Sequence, residues 1–188
     1  MTALTVHLMR HGAPQLAGRL LGHMDAPSLP EGLALCVERA RALDFTQLVT
    51  SDLSRARSPG AVIAAERGVP QREDARWREL NFGAWEGADP ATLDQQALSR
   101  FWDDPDAFPP PDGERWSDLC DRVRGALDAL EPDALVICHA GAMRAALSIT
   151  CNFNVRQGWA VDLPYGAVLS LRLWPGDAPS GQITGLLA

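Results

Sequence analysis

The chain predicts an α/β fold: a three-layer α/β/α sandwich, mostly parallel central sheet with helices on both faces. Two observations carry that expectation. Short apolar runs bounded by turn signals, at residues 4–9, 47–50 and 134–138, read as buried strands, and amphipathic helical patterns separate them along the chain. Each run also ends in polar residues: Arg10-His11, Ser51-Asp52 and His139. Strands that alternate with helices bring such ends to one edge of the sheet, where open α/β sheets bind ligands.

At 188 residues, one domain over 1–188 is expected, with a probable excursion or lid around 76–112. A hydrophobic share of 46% and a charged share of 22% are ordinary for a globular protein. The formal net charge of −7 argues against nucleic acid as a partner, so any site for an anion has to be local. All 17 basic residues are arginine, a side chain suited to forked binding of phosphate or carboxylate. Cys36, Cys120, Cys138 and Cys151 lack CxxC or CxxH spacing, so neither a zinc site nor a disulfide framework is expected. The start of the chain has no signal-peptide pattern and no run of about eighteen apolar residues occurs, which predicts a reduced, cytoplasmic setting.

In the first strand Leu4, Val6, Leu8 and Met9 are apolar, His7 is a structural residue, and Gly12 with Pro14 stops the run. Residues 13–28 form a loop carrying Arg19 and His23. Pro30 suits the first turn of a helix, in which Leu33, Cys36, Val37, Ala40 and Leu43 recur at three- and four-residue steps. After the second strand, Ser58 is the expected N-cap and Pro59 the first residue of a helix reaching Glu66, because proline inside a helix costs about 3 kcal/mol. Arg55 and Arg57 then lie in the preceding turn, close to a helix N-terminus that favours anions.

Residues 76–87 mix aromatics, charges and glycine without a period, as in a loop folded over something, and Trp85 is the tryptophan expected to touch a ligand. Residues 89–112 are rich in Pro and Asp, with helix around 93–102. Gly113-Glu114 precedes an amphipathic helix presenting Trp116, Leu119, Cys120, Val123, Leu127 and Leu130. The strand at 134–138 runs into His139-Ala140-Gly141 and an Ala-rich helix from Ala142 to about Thr150. Residues 168–174 read as a late or edge strand, with 181–188 as its hairpin partner.

Two imidazoles, two or more guanidinium groups and a carboxylate from the aromatic loop make a coherent set for phosphoryl transfer. One imidazole attacks phosphorus while the cations neutralise the equatorial oxygens, and a carboxylic acid protonates the leaving oxygen. No metal is required. Each residue alone is better read as a strand-end cap or a solvated charge; the set of partners tips the balance.

The residues Leu8-Met9-Arg10-His11-Gly12, Gly18-Arg19 with Gly22 and Asp25, Ser51-Asp52-Leu53-Ser54-Arg55-Ala56, Arg78-Glu79-Leu80 through Phe82-Gly83-Ala84-Trp85-Glu86-Gly87, Gly113-Glu114 and His139-Ala140-Gly141-Ala142-Met143-Arg144 resemble the histidine phosphatase superfamily, in its phosphoglycerate-mutase-like branch. The motifs keep the family's order over about four-fifths of the chain. The resemblance implies His11 as phosphorylated nucleophile, His139 as a catalytic residue of the phosphate pocket with Arg10 and Arg55, and Glu79 as proton donor, with Glu86 the rival carboxylate. It implies Arg10, Arg55, Gly12, Arg19 and Ala140 as substrate-binding residues, with no metal and no cofactor. The implied partner is a small phosphorylated metabolite, with no nucleic acid and no membrane, and a homodimer is left open.

Length and the 82–87 and 162–166 stretches look most like alpha-ribazole phosphatases and related small broad-specificity phosphatases. The expected activity is metal-independent phosphomonoester hydrolysis through a phosphohistidine, with alpha-ribazole 5′-phosphate as a candidate substrate. A phosphoglycerate-type mutase and a non-catalytic phospholigand-binding module are the alternatives. The chain departs from the pattern at Ala13-Pro14, in a loop lacking the family's Asn, at Ser58-Pro59-Gly60 and at Arg115.

Overall fold

Five consecutive buried residues must satisfy their backbone by pairing on both sides, and β4 (Ala134–Cys138) does so. It lies parallel to β1 (Leu4–Arg10) on one side and to β2 (Gln47–Thr50) on the other. The computed structural model describes residues 3–174, 176 and 178–188. Its sheet has six strands in the order β3-β2-β4-β1-β5-β6, completed by β3 (Gln71–Glu73), β5 (Val168–Trp174) and β6 (Ser180–Leu187). The first four in that order run parallel, whereas β5 is antiparallel to β1 and β6 antiparallel to β5.

Side-chain alternation along the strands divides the core in two. Val136 and Cys138, with Val6 and Leu8 of β1, face one cluster, to which α4 (Trp116–Leu127) and α5 (Ala140–Cys151) contribute Leu119, Val123, Met143 and Leu147. Leu135, Ile137 and Met9 face the other, against Cys36, Val37 and Ala40 of α1 (Pro30–Arg41) and Ile63 of α2 (Ser54–Arg67). This is the three-layer sandwich expected. Two shorter helices, α3 (Gln95–Asp103) and α6 (Val155–Trp159), add to the first side, α3 through Leu98 and Phe101. Among the described residues, no helix is long and apolar enough to cross a membrane.

The structure corrects two expectations and adds elements that carry no signal in the sequence. Pro59 is not the first residue of its helix: α2 begins at Ser54 and Pro59 lies inside it. Proline has no N–H to give the carbonyl of Arg55 four residues back, and the Ser28 hydroxyl donates to that oxygen instead, at 2.9 Å. Helix α5 begins at Ala140 rather than Ala142, with His139 as its N-cap residue, and the free first-turn N–H of Gly141 is satisfied by the Glu79 carboxylate. Strand β5 is internal, and β6 is the edge. Strand β3, with the polar sequence Gln-Arg-Glu, and the five-residue α6 were not foreseen.

Candidate active site

Because β1, β2 and β4 run parallel, their C-terminal ends share one edge, where the backbone pairing continues just past the strands. The His11 N–H donates to Cys138 O at 3.0 Å and the Ser51 N–H to Ile137 O at 2.9 Å. His11 and His139 therefore face each other, with ring centroids 5.0 Å apart at an interplanar angle of 60°. Only 5% of His11 and none of His139 is exposed. His11 Nδ1 lies 2.7 Å from Gly12 O, and a carbonyl oxygen only accepts, so Nδ1 carries the proton and donates. In the neutral ring Nε2 then holds a free lone pair. Gly12 is pressed against Gly32 at the start of α1; a Cβ at Gly12 would run into the Gly32 carbonyl, so only glycine lets the strand end pass this close.

Arginines surround the imidazoles. Arg10 donates to Leu163 O at 2.6 Å, and its guanidinium lies 4.1 Å from the centroid of the Tyr165 ring. Arg55, fully buried in the first turn of α2, donates to Met24 O, Leu21 O and Gly22 O at 2.9, 3.0 and 2.6 Å. These bonds fix the 21–24 loop and aim the guanidinium. The Nε atoms of Arg10 and Arg55 and both ring nitrogens of His139 are buried without a hydrogen-bond partner among the described residues. Leaving such a group unmatched costs about 1–3 kcal/mol. All four belong to residues expected from sequence to bind phosphate, and the Nε–H groups of the two arginines with the one N–H of a neutral His139 are donors that an oxyanion can accept.

The two rival carboxylates do different jobs. Glu86 accepts the backbone N–H groups of Gly22, His23, Met24 and Phe82, at 2.7–3.1 Å, and is spent on holding two loops together. Glu79 accepts from Leu80 N and from Gly141 N, at 2.9 and 3.1 Å, which seats it at the N-terminus of α5 beside His139. A Cβ at Gly141 would collide with the Glu79 carboxylate. Arg122 supports this loop from behind, donating to the carbonyls of Arg76, Arg78 and Glu79 while paired with Glu114. Arg78 grips Asp52 with two nitrogens and holds its carboxyl below the usual carboxylate range.

These groups open onto a cavity of about 220 Å³. Of the residues singled out from sequence, Arg10, His11, Arg19, Glu79 and Ala140 line it. His139 and Arg55 are buried behind that wall, and Gly12 is turned away into the contact with Gly32. Trp85 does not touch the cavity; it is a core residue, edge-on to Phe101 at 5.7 Å. The tryptophans that do line it are Trp102, Trp116 and Trp159, together with Tyr165 and Arg144. Arg144 was visible in its motif, one helical turn past His139, where a side chain points back toward the helix N-terminus. His7, as expected, is structural and bonds across the strands to Ser170 Oγ at 2.8 Å. Among the described residues, no group of three His, Cys, Asp or Glu side chains is placed to hold a metal ion.

Burial pushes both imidazoles well below the ordinary value of 6.5, and the nearby charge of Arg55 pushes the same way. The folded protein therefore keeps them neutral while an unfolded chain takes up protons as pH falls through about 6.5. Their contribution to stability is fully present above that pH and is lost as pH falls toward the depressed folded values, at up to about 1.4 kcal/mol per pH unit for each ring. Chemical denaturation at pH 7, 6 and 5 should show falling stability, with a shallower slope in His11→Ala. A slope unchanged by that substitution would refute the neutral buried imidazole.

The family described as histidine phosphatase superfamily (branch 1) matches residues 6–180. A Citrobacter koseri protein named as a probable phosphoglycerate mutase, GpmB, is 36% identical over 132 residues, 66% of this chain; the match spans 61% of that relative's own length. Its namesake from Yersinia pestis is 31% identical over 158 residues, 77% of this chain and 74% of the relative. Among solved structures, one from Thermus thermophilus is 32% identical with a TM-score of 0.75, covering 98% of this chain and 99% of that one. A mycobacterial glucosyl-3-phosphoglycerate phosphatase shares the fold at a TM-score of 0.84 and 22% identity, covering 97% of each chain.

Proposed function

The chain belongs to branch 1 of the histidine phosphatase superfamily, and we propose that it is a phosphatase that hydrolyses small phosphomonoesters through a phosphohistidine on His11, without a metal ion. The observation that supports this most is the locked ring of His11: Nδ1 is tied to Gly12 O, so the lone pair on Nε2 is available to phosphorus in a ring kept neutral by burial. Arg10, Arg55 and His139 supply the donors for the equatorial oxygens, worth most in a site shielded from water. Nε2 attacks phosphorus and the ester oxygen departs with the bonding pair, taking the proton of a protonated Glu79. In the second half, the Glu79 carboxylate removes a proton from water as its oxygen attacks phosphorus, releasing inorganic phosphate and restoring both residues.

The sequence relatives named as phosphoglycerate mutases favour a second reading, transfer of the phosphoryl group to an acceptor hydroxyl instead of water. Alpha-ribazole 5′-phosphate remains a candidate substrate for the hydrolase. Rapid acid-free quenching of a reaction run in EDTA with labelled substrate separates the mechanisms: an acid-labile, base-stable phosphoryl group should appear on His11, in amounts approaching one per chain. Turnover with no such adduct, or turnover only on adding a divalent metal, would overturn the proposal. Product analysis with glycerate present distinguishes mutase from hydrolase.

A further inference from the structure

Three tryptophans from separate segments share the wall of the cavity: Trp102 near the end of α3, Trp116 at the start of α4 and Trp159 at the end of α6. Trp159 is the centre of the group, with the Trp102 ring 5.0 Å away at 82° and the Trp116 ring 6.5 Å away at 50°. The Arg144 guanidinium lies 4.7 Å from the Trp159 centroid, tied by donation to Gly158 O and Val161 O. The tryptophans that serve packing look different: Trp77 is fully buried and Trp85 nearly so, whereas Trp102 is 38% exposed. Trp116 also packs against the core, whereas Trp102 and Trp159 lie outside that cluster, and aromatic surface left open in a cavity beside His11 suits a ligand.

We propose that the preferred substrates are phosphomonoesters whose leaving group carries a planar aromatic ring, held against Trp102 and Trp159 while the phosphoryl group lies at His11. This rests on the phosphohistidine reading and gives it a substrate class. A cavity of about 220 Å³ is smaller than the roughly 300–1,000 Å³ of sites for drug-sized ligands, so one or two rings fit better than a dinucleotide. Glycerate, with no ring, would leave most of this aromatic surface uncovered.

The test compares 2-phenylethyl phosphate with glycerol 1-phosphate and 3-phosphoglycerate. All are alkyl esters, so ring binding is read apart from leaving-group acidity. Wild type should prefer the phenylethyl ester in kcat/KM, and Trp102→Ala should lower that preference about tenfold or more, through KM, with partial recovery in Trp102→Phe. Equal or better use of glycerol phosphate or 3-phosphoglycerate by wild type, or a preference unmoved in Trp102→Ala, would overturn it. Binding is read separately in His11→Ala by tryptophan fluorescence, where benzylphosphonate should bind more tightly than methylphosphonate. Wild type that hydrolyses none of these esters in EDTA, with that difference intact in His11→Ala, would reject the mechanism and keep the substrate class; equal affinities would reject the class.

Discussion

His11→Ala is expected to lose at least about a thousandfold in kcat/KM for an aryl phosphate assayed in EDTA, equivalent to about 4 kcal/mol of transition-state stabilisation. The size of the loss follows from the absence of a stand-in. The nearest imidazole is His139, whose ring centroid is 5.0 Å away, but it is fully buried and its backbone is fixed as the first residue before α5. Water could attack phosphorus directly in the remaining pocket, yet it would do so without the covalent step that divides the barrier. The fold should survive, because the His11 side chain makes one hydrogen bond, to the neighbouring Gly12 O. A circular dichroism spectrum matching wild type together with the collapse in rate identifies the nucleophile. A rate equal to wild type would reject it.

The two histidines were legible because each ends an apolar run, and a run of period two or of continuous hydrophobics reports a strand whatever surrounds it. Arg55 was legible as a candidate phosphate ligand, but its helix was misplaced. Local rules set the helix start at Pro59, and the Ser28 hydroxyl that replaces the missing N–H comes from a loop far away in the chain. Strand β3 carries no apolar signal at all, since Gln71, Arg72 and Glu73 are ordered only by pairing with β2 at the sheet edge. The need for glycine at position 12 was legible as a close backbone approach, but its partner was not: what excludes a side chain there is Gly32, a contact made only once α1 has docked. The aromatic wall is the extreme case. Trp102, Trp116 and Trp159 sit on three separate helices, only Trp116 falls in a clear apolar period, and composition counts them without saying which face a cavity and which, like Trp85, face the core.

Glu79→Gln should lower kcat by about a hundredfold to ten-thousandfold for alkyl phosphates, the range for loss of a positioned general acid. Shape is nearly conserved, and the amide oxygen can still accept from Leu80 N, although the bond from Gly141 N is lost. What disappears is the proton, and that makes the loss depend on the leaving group. An alkoxide needs protonation as the bond breaks, whereas 4-nitrophenolate leaves without it, so the defect with 4-nitrophenyl phosphate should be much smaller in the first step. Hydrolysis of the phosphohistidine still lacks its base, so that substrate should give a burst of nitrophenol close to one per chain, followed by slow turnover. Glu86→Gln provides the contrast. It disturbs a carboxylate that accepts four backbone N–H groups, so its signature is a lowered Tm with no change in leaving-group dependence. Were Glu86→Gln to show the leaving-group dependence and the burst while Glu79→Gln showed neither, the acid would be Glu86, and the seat of Glu79 at the N-terminus of α5 would be structural only.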